Sequence, residues 1–461
     1  MRRRYLVLAA ILAFGLLLIA GVGLLGCGTG VKGDAAETQS TTSDTQSTIM
    51  DTPTSNVLVS SESRAQPTAQ ALADIPSLVA GSTTLALDLF KAERATADHI
   101  GKNLVFSPYS LSLALAMTYA GARGETESQM ADALHFALPQ ERLHPAFNAL
   151  DQTVADSRPN VKIAVANSLW PLDAVSGRVI PSYLDLVAQD YGAPVMRPPD
   201  DTEQARQAIN GWASDATGGR VQEVLPPGSL PQEWTAMVLV DAMTFSGLWT
   251  FAFPPTDTEP GLFHLADGGT VQAPLMHHAM DFGYAEDDSW QALELPYGSK
   301  GSLAWGDCSM VCLLPKGASL DKVLSGLTAE KLGSLLESLD SGHEVAVTMP
   351  RFQFASSFRV KEACKTLGMI DAFDSDKADF SGMYSGGAPS GIWIDDVYET
   401  ATVSVDENGT EAAAGSAVVQ AGGMAETKVV LDRPFLFLIR HRPTGAILFM
   451  GQVADPSKTG A

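Results

Sequence analysis

The sequence predicts one large α+β domain, carried behind an export signal and a polar tether. Three observations predict it. Helix-type patterns gather early in the folded region and strand-type patterns late, without the regular alternation of a βαβ protein. A helix that is apolar nearly all round follows residue 107, so it must be buried between layers. A long apolar run, Ala236 to Phe245, has the composition of a central strand covered on both faces.

The chain starts with Arg2, Arg3 and Arg4, then an apolar run from Tyr5 to Leu25. It closes on Leu24-Leu25-Gly26-Cys27, which resembles the lipobox read by bacterial lipoprotein signal peptidase. Residues 1–26 are therefore expected to be a signal peptide and Cys27 the lipidated residue, placing the protein at the cell surface, anchored to the membrane. The other reading is an uncleaved signal anchor, since the run is nearly long enough to span a bilayer. Either way the chain is exported. From Cys27 to Pro76 the residues are mostly Ser, Thr, Gln, Ala and Asp. Such a stretch has too little apolar surface to offset its ordering entropy, so a disordered tether is expected through residue 76, with the folded domain over 77–458.

Inside the domain, Ser107-Pro108 reads as an N-cap followed by a proline in the first turn, Tyr109 to Met117 as the helix body, and Gly121 as its end. Val161 to Leu169 alternates as a strand does. Val345 to Met349 and Val397 to Val405 read as further strands. Phe435 to Arg440 and Ala446 to Gly451 flank Arg442-Pro443-Thr444-Gly445, a hairpin turn signal.

The chain has 461 residues, with 30 Lys+Arg against 53 Asp+Glu and a net charge of −23, which argues against nucleic-acid and polyanion partners. The four cysteines, Cys27, Cys308, Cys312 and Cys364, make no disulfide framework. No nucleophile elbow, metalloprotease helix, P-loop or dinucleotide fingerprint is present. Ser319-Leu320-Asp321-Lys322 and Lys458-Thr459-Gly460 imitate fragments of a β-lactamase signature, but the second sits at the chain end and the S-D-N element is missing. His277-His278 has no companion ligands at metal spacing. No metal, no cofactor and no enzymatic activity are expected.

One segment carries a different message. In Asp406-Glu407-Asn408-Gly409-Thr410-Glu411-Ala412-Ala413-Ala414-Gly415-Ser416, the positions Thr410, Ala412, Ala414, Ser416 and Val418 share one face at the strand period, and all are small or β-branched. A loop that slides into a packed sheet needs such residues on its inward face. Gly409 is read as backbone freedom where insertion starts. Asn408-Gly409-Thr410 also has the form of a glycosylation sequon, and is read as coincidence.

This stretch resembles the hinge of inhibitory serpins. Other motifs follow in that family's order: Asn103-Leu104-Val105-Phe106-Ser107-Pro108 with Ser110, Thr244-Phe245-Ser246-Gly247-Leu248-Trp249, Leu295-Pro296-Tyr297, Leu313-Leu314-Pro315, and Arg433-Pro434-Phe435 to Gly451. The resemblance implies three β-sheets, eight to nine helices and an exposed reactive-centre loop at about 407–428. It implies a hinge at Glu407, Gly409, Thr410, Glu411, Ala412, Ala413 and Ala414. It also implies a sheet-opening region containing Ser107, Ser110, Trp249 and Arg351, the last paired with Glu407. Where the family usually has an asparagine facing a histidine in that region, this chain has Asp241 and Glu399. Close and buried, these two would share a proton. The alternative is that one of them turns to water or to a cation.

The resemblance further implies a monomeric suicide inhibitor that traps a target protease as an acyl-enzyme while the cut loop inserts. Counting along the loop places the scissile bond at Gly423-Met424, with Met424-Ala425 as runner-up. No Lys or Arg lies between Asn408 and Thr427, so the expected partners are elastase-like or subtilisin-like serine proteases, or a papain-like cysteine protease. The rival function is a non-inhibitory serpin acting as a surface binding or carrier protein. The small inward residues oppose it.

Overall fold

A computed structural model describes residues 57–58, 60–96, 98–156, 161–171, 178–230, 237–298, 305–317, 319–342, 344–385, 392–410 and 427–458. Cys27, the signal segment, Glu411 to Ala414, Gly423 and Met424 lie outside them. Among the described residues there are nine α-helices and three sheets, so the α+β expectation holds.

The largest sheet has seven strands in the order β1 (Val57–Leu58), β4 (Val195–Met196), β3 (Val161–Pro171), β5 (Met237–Leu248), β14 (Gly409–Thr410), β13 (Ile394–Val405) and β12 (Phe352–Arg359). Its central strand β5 is buried almost throughout, as the apolar run implies. Alternate residues of β5 serve separate cores. Met237, Leu239, Met243 and Phe245 enter the main core, while Val238, Val240 and Ala242 meet the helix α6 (Thr202–Ala216) on the opposite face.

Behind the main-core face lies α2 (Pro108–Tyr119), every residue of it buried. Ser107 caps it by accepting a hydrogen bond from the Ser110 amide, and Pro108 fills the first turn. It packs on β3 and β5 and, on its other side, on β17 (Ile447–Val453). That strand belongs to a six-stranded sheet in the order β2 (Leu104–Phe106), β17, β16 (Phe435–His441), β10 (Cys308–Pro315), β9 (Trp290–Pro296) and β8 (Gly283–Glu286). The hairpin expected at Arg442-Pro443-Thr444-Gly445 joins β16 to β17, with Gly445 at φ 77°. A four-stranded sheet, β15 (Thr427–Val430), β11 (Val345–Pro350), β7 (Thr270–Met280) and β6 (Glu259–His264), completes the framework.

The tether boundary needs correction. Helix α1 spans Ala69–Arg94 and includes Pro76, the expected end of the disordered stretch. Thr68 caps it, and Ala71, Asp74 and Ile75 are buried before the proline is reached. A proline inside a helix removes one hydrogen bond. Packing against α4 (Gln140–Ala155) and the bidentate Arg142 contact to Asp74 offset that loss. Upstream, Ser60 donates to Asp185 at 2.6 Å, the Arg64 guanidinium bonds Asn148 at 3.0 Å and Asp151 at 2.5 Å, and β1 pairs with β4. Polar contacts fix this segment, which is why its composition reads as unstructured.

Candidate functional site: the seam of the central sheet

Strands β5 and β13 run parallel and are hydrogen-bonded directly to each other from Ile394/Met237 to Ala401/Met243. Above that seam they diverge, and β14 fills the gap. Gly409 and Thr410 pair antiparallel with Leu248 and Gly247 of β5, and Thr410 pairs with Val405 of β13. The chain thus turns over at the end of β13 and begins to re-enter the sheet. The start of the segment expected to be an exposed loop is therefore buried: Glu407, Gly409 and Thr410 are all covered, Thr410 being 1% exposed.

Each residue of the turn is held. Asp406 accepts from the Asn408 amide at 2.7 Å and the Gly409 amide at 3.2 Å. The Trp249 indole donates to the Asp406 carbonyl at 2.9 Å, and the Trp249 amide to the Asn408 carbonyl at 2.8 Å. The Phe253 amide donates to the Glu407 carbonyl at 2.9 Å. The Glu407 carboxylate accepts from Arg351 Nε at 2.7 Å and from the Thr258 hydroxyl at 2.6 Å. Burial alone would raise its pKa, but these hydrogen bonds outweigh burial and hold it below the usual value.

Gly409 has a second role beside the backbone freedom its position suggested. Its φ of +158° is one that residues with a side chain rarely adopt, and a Cβ there would also lie 2.0 Å from the Gly247 carbonyl oxygen. Close approach to β5 demands the glycine. Thr410 turns inward, its hydroxyl 2.6 Å from the Tyr297 hydroxyl. The Tyr297 ring is stacked on Trp249, with centroids 4.5 Å apart and planes 12° from parallel. Tyr297 and Thr258 went unassigned to the hinge in the sequence, because they come from distant segments. Only the strand motif around Tyr297 pointed near them.

Lower in the seam, Asp241 of β5 and Glu399 of β13 are cross-strand neighbours, 0% and 1% exposed. The Ser107 amide donates to Glu399 Oε1 at 2.7 Å, and the Ser110 hydroxyl donates to Asp241 Oδ1. The Ser110 hydroxyl also lies 2.9 Å from Asn167 Oδ1, on the β3 residue facing Asp241. Asn167 was missed, although a polar residue within an apolar strand face was the available signal. Burial raises the pKa of both carboxyls, and that of Glu399 is raised further by the neighbouring Asp241. Neither turns to water or to a cation. The six residues expected at the sheet opening thus fall into two groups, Trp249 and Arg351 at the turn, and Ser107, Ser110, Asp241 and Glu399 at the seam.

The central sheet admits the first two residues of a returning chain, and among the described residues no catalytic constellation lies at the site. The chain belongs to the serpin family. The family model described as "Serpin (serine protease inhibitor)" matches residues 80–456. The chain is 36% identical over 395 residues to the leukocyte elastase inhibitor of Bos taurus, covering 82% of this chain and 99% of that protein. It is 35% identical to antithrombin-III of Homo sapiens, covering 77% of this chain and 76% of that protein. Among solved structures, the thermophilic serpin tengpin in its native state matches with a TM-score of 0.75 and 25% identity, over 86% of this chain and 97% of that one. Human thyroxine-binding globulin in complex with thyroxine matches at 0.73 and 25%, over 85% and 100%. The serpin resemblance is therefore correct, and the matching family model is described by serine protease inhibition.

Proposed function

We propose that this protein inhibits a serine protease as a suicide substrate, by acyl-enzyme trapping and insertion of its cut loop between β5 and β13. The observation that carries this reading is the register of Gly409 and Thr410 in the seam. Carried downward, the same register would bring Ala412, Ala414, Ser416 and Val418 inward, opposite Phe245, Met243, Asp241 and Leu239 of β5. On the other side they would meet Val403, Ala401, Glu399 and Val397 of β13. All of these strand residues are buried, so only small or β-branched side chains can enter. The incoming residues are of that kind, which disfavours a carrier role even though one structural relative is a thyroxine-binding globulin.

In the chemical step, the protease serine attacks the Gly423 carbonyl, the peptide bond to Met424 breaks, and the amino group of Met424 leaves with the proton. Insertion then outruns hydrolysis of the resulting ester. The absence of Lys and Arg from 409–426 favours elastase-like or subtilisin-like targets over trypsin. The protein acts as a monomer at the cell surface, tethered through Cys27.

Incubation with elastase, subtilisin and trypsin tests the reading. Denaturant-resistant complexes are expected with the first two and none with trypsin, and the released C-terminal peptide should begin at Met424 or Ala425. Tight trapping of trypsin, or a peptide starting outside residues 422–426, would overturn the assignment.

A further inference from the structure

We propose that a single proton shared by Asp241 and Glu399 fastens β5 to β13, and that opening of the seam releases it, so that loop insertion accelerates as pH rises. The proposal rests on the inhibitor reading for its purpose, but on the seam alone for its geometry.

The two carboxyls belong to directly paired residues of the β5–β13 ladder, both buried. Each has one oxygen satisfied by α2, through Ser107 and Ser110. The other oxygens, Asp241 Oδ2 and Glu399 Oε2, are buried and accept no bond from any other described group. Two carboxylates offer only lone pairs, so contact between them without a proton is repulsive. With one proton it becomes a charge-assisted hydrogen bond in a low-dielectric setting.

Among the described residues no cation replaces that proton. From α2 the pair meets Ser107 and Ser110, from β3 Asn167, and across β13 Phe358 of β12. No described Lys, Arg or His contributes to the charge balance of either group.

A strand entering the seam must part these residues. Their strands move from one spacing, about 4.8 Å, to two. At that separation their mutual repulsion falls, and the proton is no longer needed to bridge them. Opening therefore releases up to one proton, and the opening equilibrium shifts by at most about tenfold per pH unit in its favour as pH rises. The shift stops above the pKa of the closed pair.

The test uses the full-length protein and, as the strand probe, a synthetic peptide of the sequence Glu411 to Gly423. Its annealing rate, followed by native electrophoresis from pH 5 to pH 8, should climb for wild type. It should stay flat in Asp241→Asn and in Glu399→Gln, where an amide supplies the bridging hydrogen permanently. A flat wild-type rate, or variants with the wild-type slope, would overturn the proposal.

Thermal midpoints give a second reading. A carboxyl pKa raised by folding contributes stability that is full below the ordinary carboxylate range. That contribution is lost as pH rises through to the folded value. His144 acts in the opposite sense: burial pushes its pKa down to about 3, so its contribution is lost as pH falls below the ordinary imidazole value. The variants keep His144, so the wild-type midpoint minus the Asp241→Asn midpoint isolates the pair and should shrink with rising pH. A constant difference would sink the shared proton. A peptide that fails to anneal at every pH would count against the inhibitor reading, and the midpoints would then decide the proton by themselves.

Discussion

The proposed inhibitory cycle would turn on Thr410, the residue that pairs with both β5 and β13 and sits against Tyr297. Thr410→Arg would place a cation beside the buried pair of Trp249 and Tyr297, at a cost of several kcal/mol without a partner. The side chain should expel the segment and slow insertion, so that hydrolysis wins and the inhibitor becomes a substrate. The stoichiometry of inhibition should rise steeply; an unchanged value would mean that loop insertion is not the mechanism. Gly409→Ala makes a milder claim. The added methyl meets the Gly247 carbonyl, and the overpacking should cost about 1–3 kcal/mol, read as a lower unfolding midpoint. An unchanged midpoint would mean that neither the positive φ nor the close approach to Gly247 constrains this position. At this scale the sequence revealed the residues whose types are unusual for their place, such as the two carboxylates at Asp241 and Glu399 and the small inward positions. It did not reveal Thr258, Asn167 or Tyr297, which act through three-dimensional approach and are ordinary in their own strands and turns.

Among the elements, the legible ones are those with a strong period. The central strand β5, the helix α2 and the β16–β17 hairpin all lie within a few residues of where their patterns put them, because apolar burial fixes both face and length. The start of the domain was misplaced for the opposite reason. Residues 60–68 are held by Ser60, Arg64 and the Ala65 amide, which bonds the Gln189 carbonyl at 2.9 Å, and such contacts leave no hydrophobic trace. This has a measurable consequence. A chain starting at Ser77 loses the Thr68 cap, the Asp74–Arg142 contact, and the burial of Ala71 and Ile75. It should be less stable than one starting at Pro53 by at least about 2 kcal/mol, from the cap and the apolar burial together. Equal denaturation midpoints for the two chains would show that the segment only decorates the surface.

For the whole molecule, the N-terminal segment bears on the proposed surface anchor, and the seam on the proposed loop insertion. The anchor is tested first. Cys27→Ser should leave the precursor unprocessed or release the protein from membranes, and unchanged processing and fractionation would remove the lipoprotein reading. The seam gives the larger effect. Among the described residues the re-entering strand comprises Gly409 and Thr410, and below it β5 and β13 pair directly in parallel. Once the loop is cut, the segment beyond Thr410 is free to continue. One parallel ladder would then be replaced by two antiparallel ones, which are slightly more stable per residue. The net gain is on the order of ten backbone hydrogen bonds at about 1 kcal/mol each, before the ordering entropy of the inserted residues is subtracted. Unfolding entropy scales with chain length, at roughly 2.1 cal/mol/K per residue, so a gain of that size raises the midpoint of a domain this large by on the order of ten degrees. Nicking an ordinary surface loop does the reverse, since it relieves a constraint on the unfolded chain. Calorimetry of the protein before and after cleavage within residues 422–426 therefore separates the two cases by sign. A midpoint that rises after the cut supports insertion, and one that falls or stays level means that the strand cannot go further than Thr410.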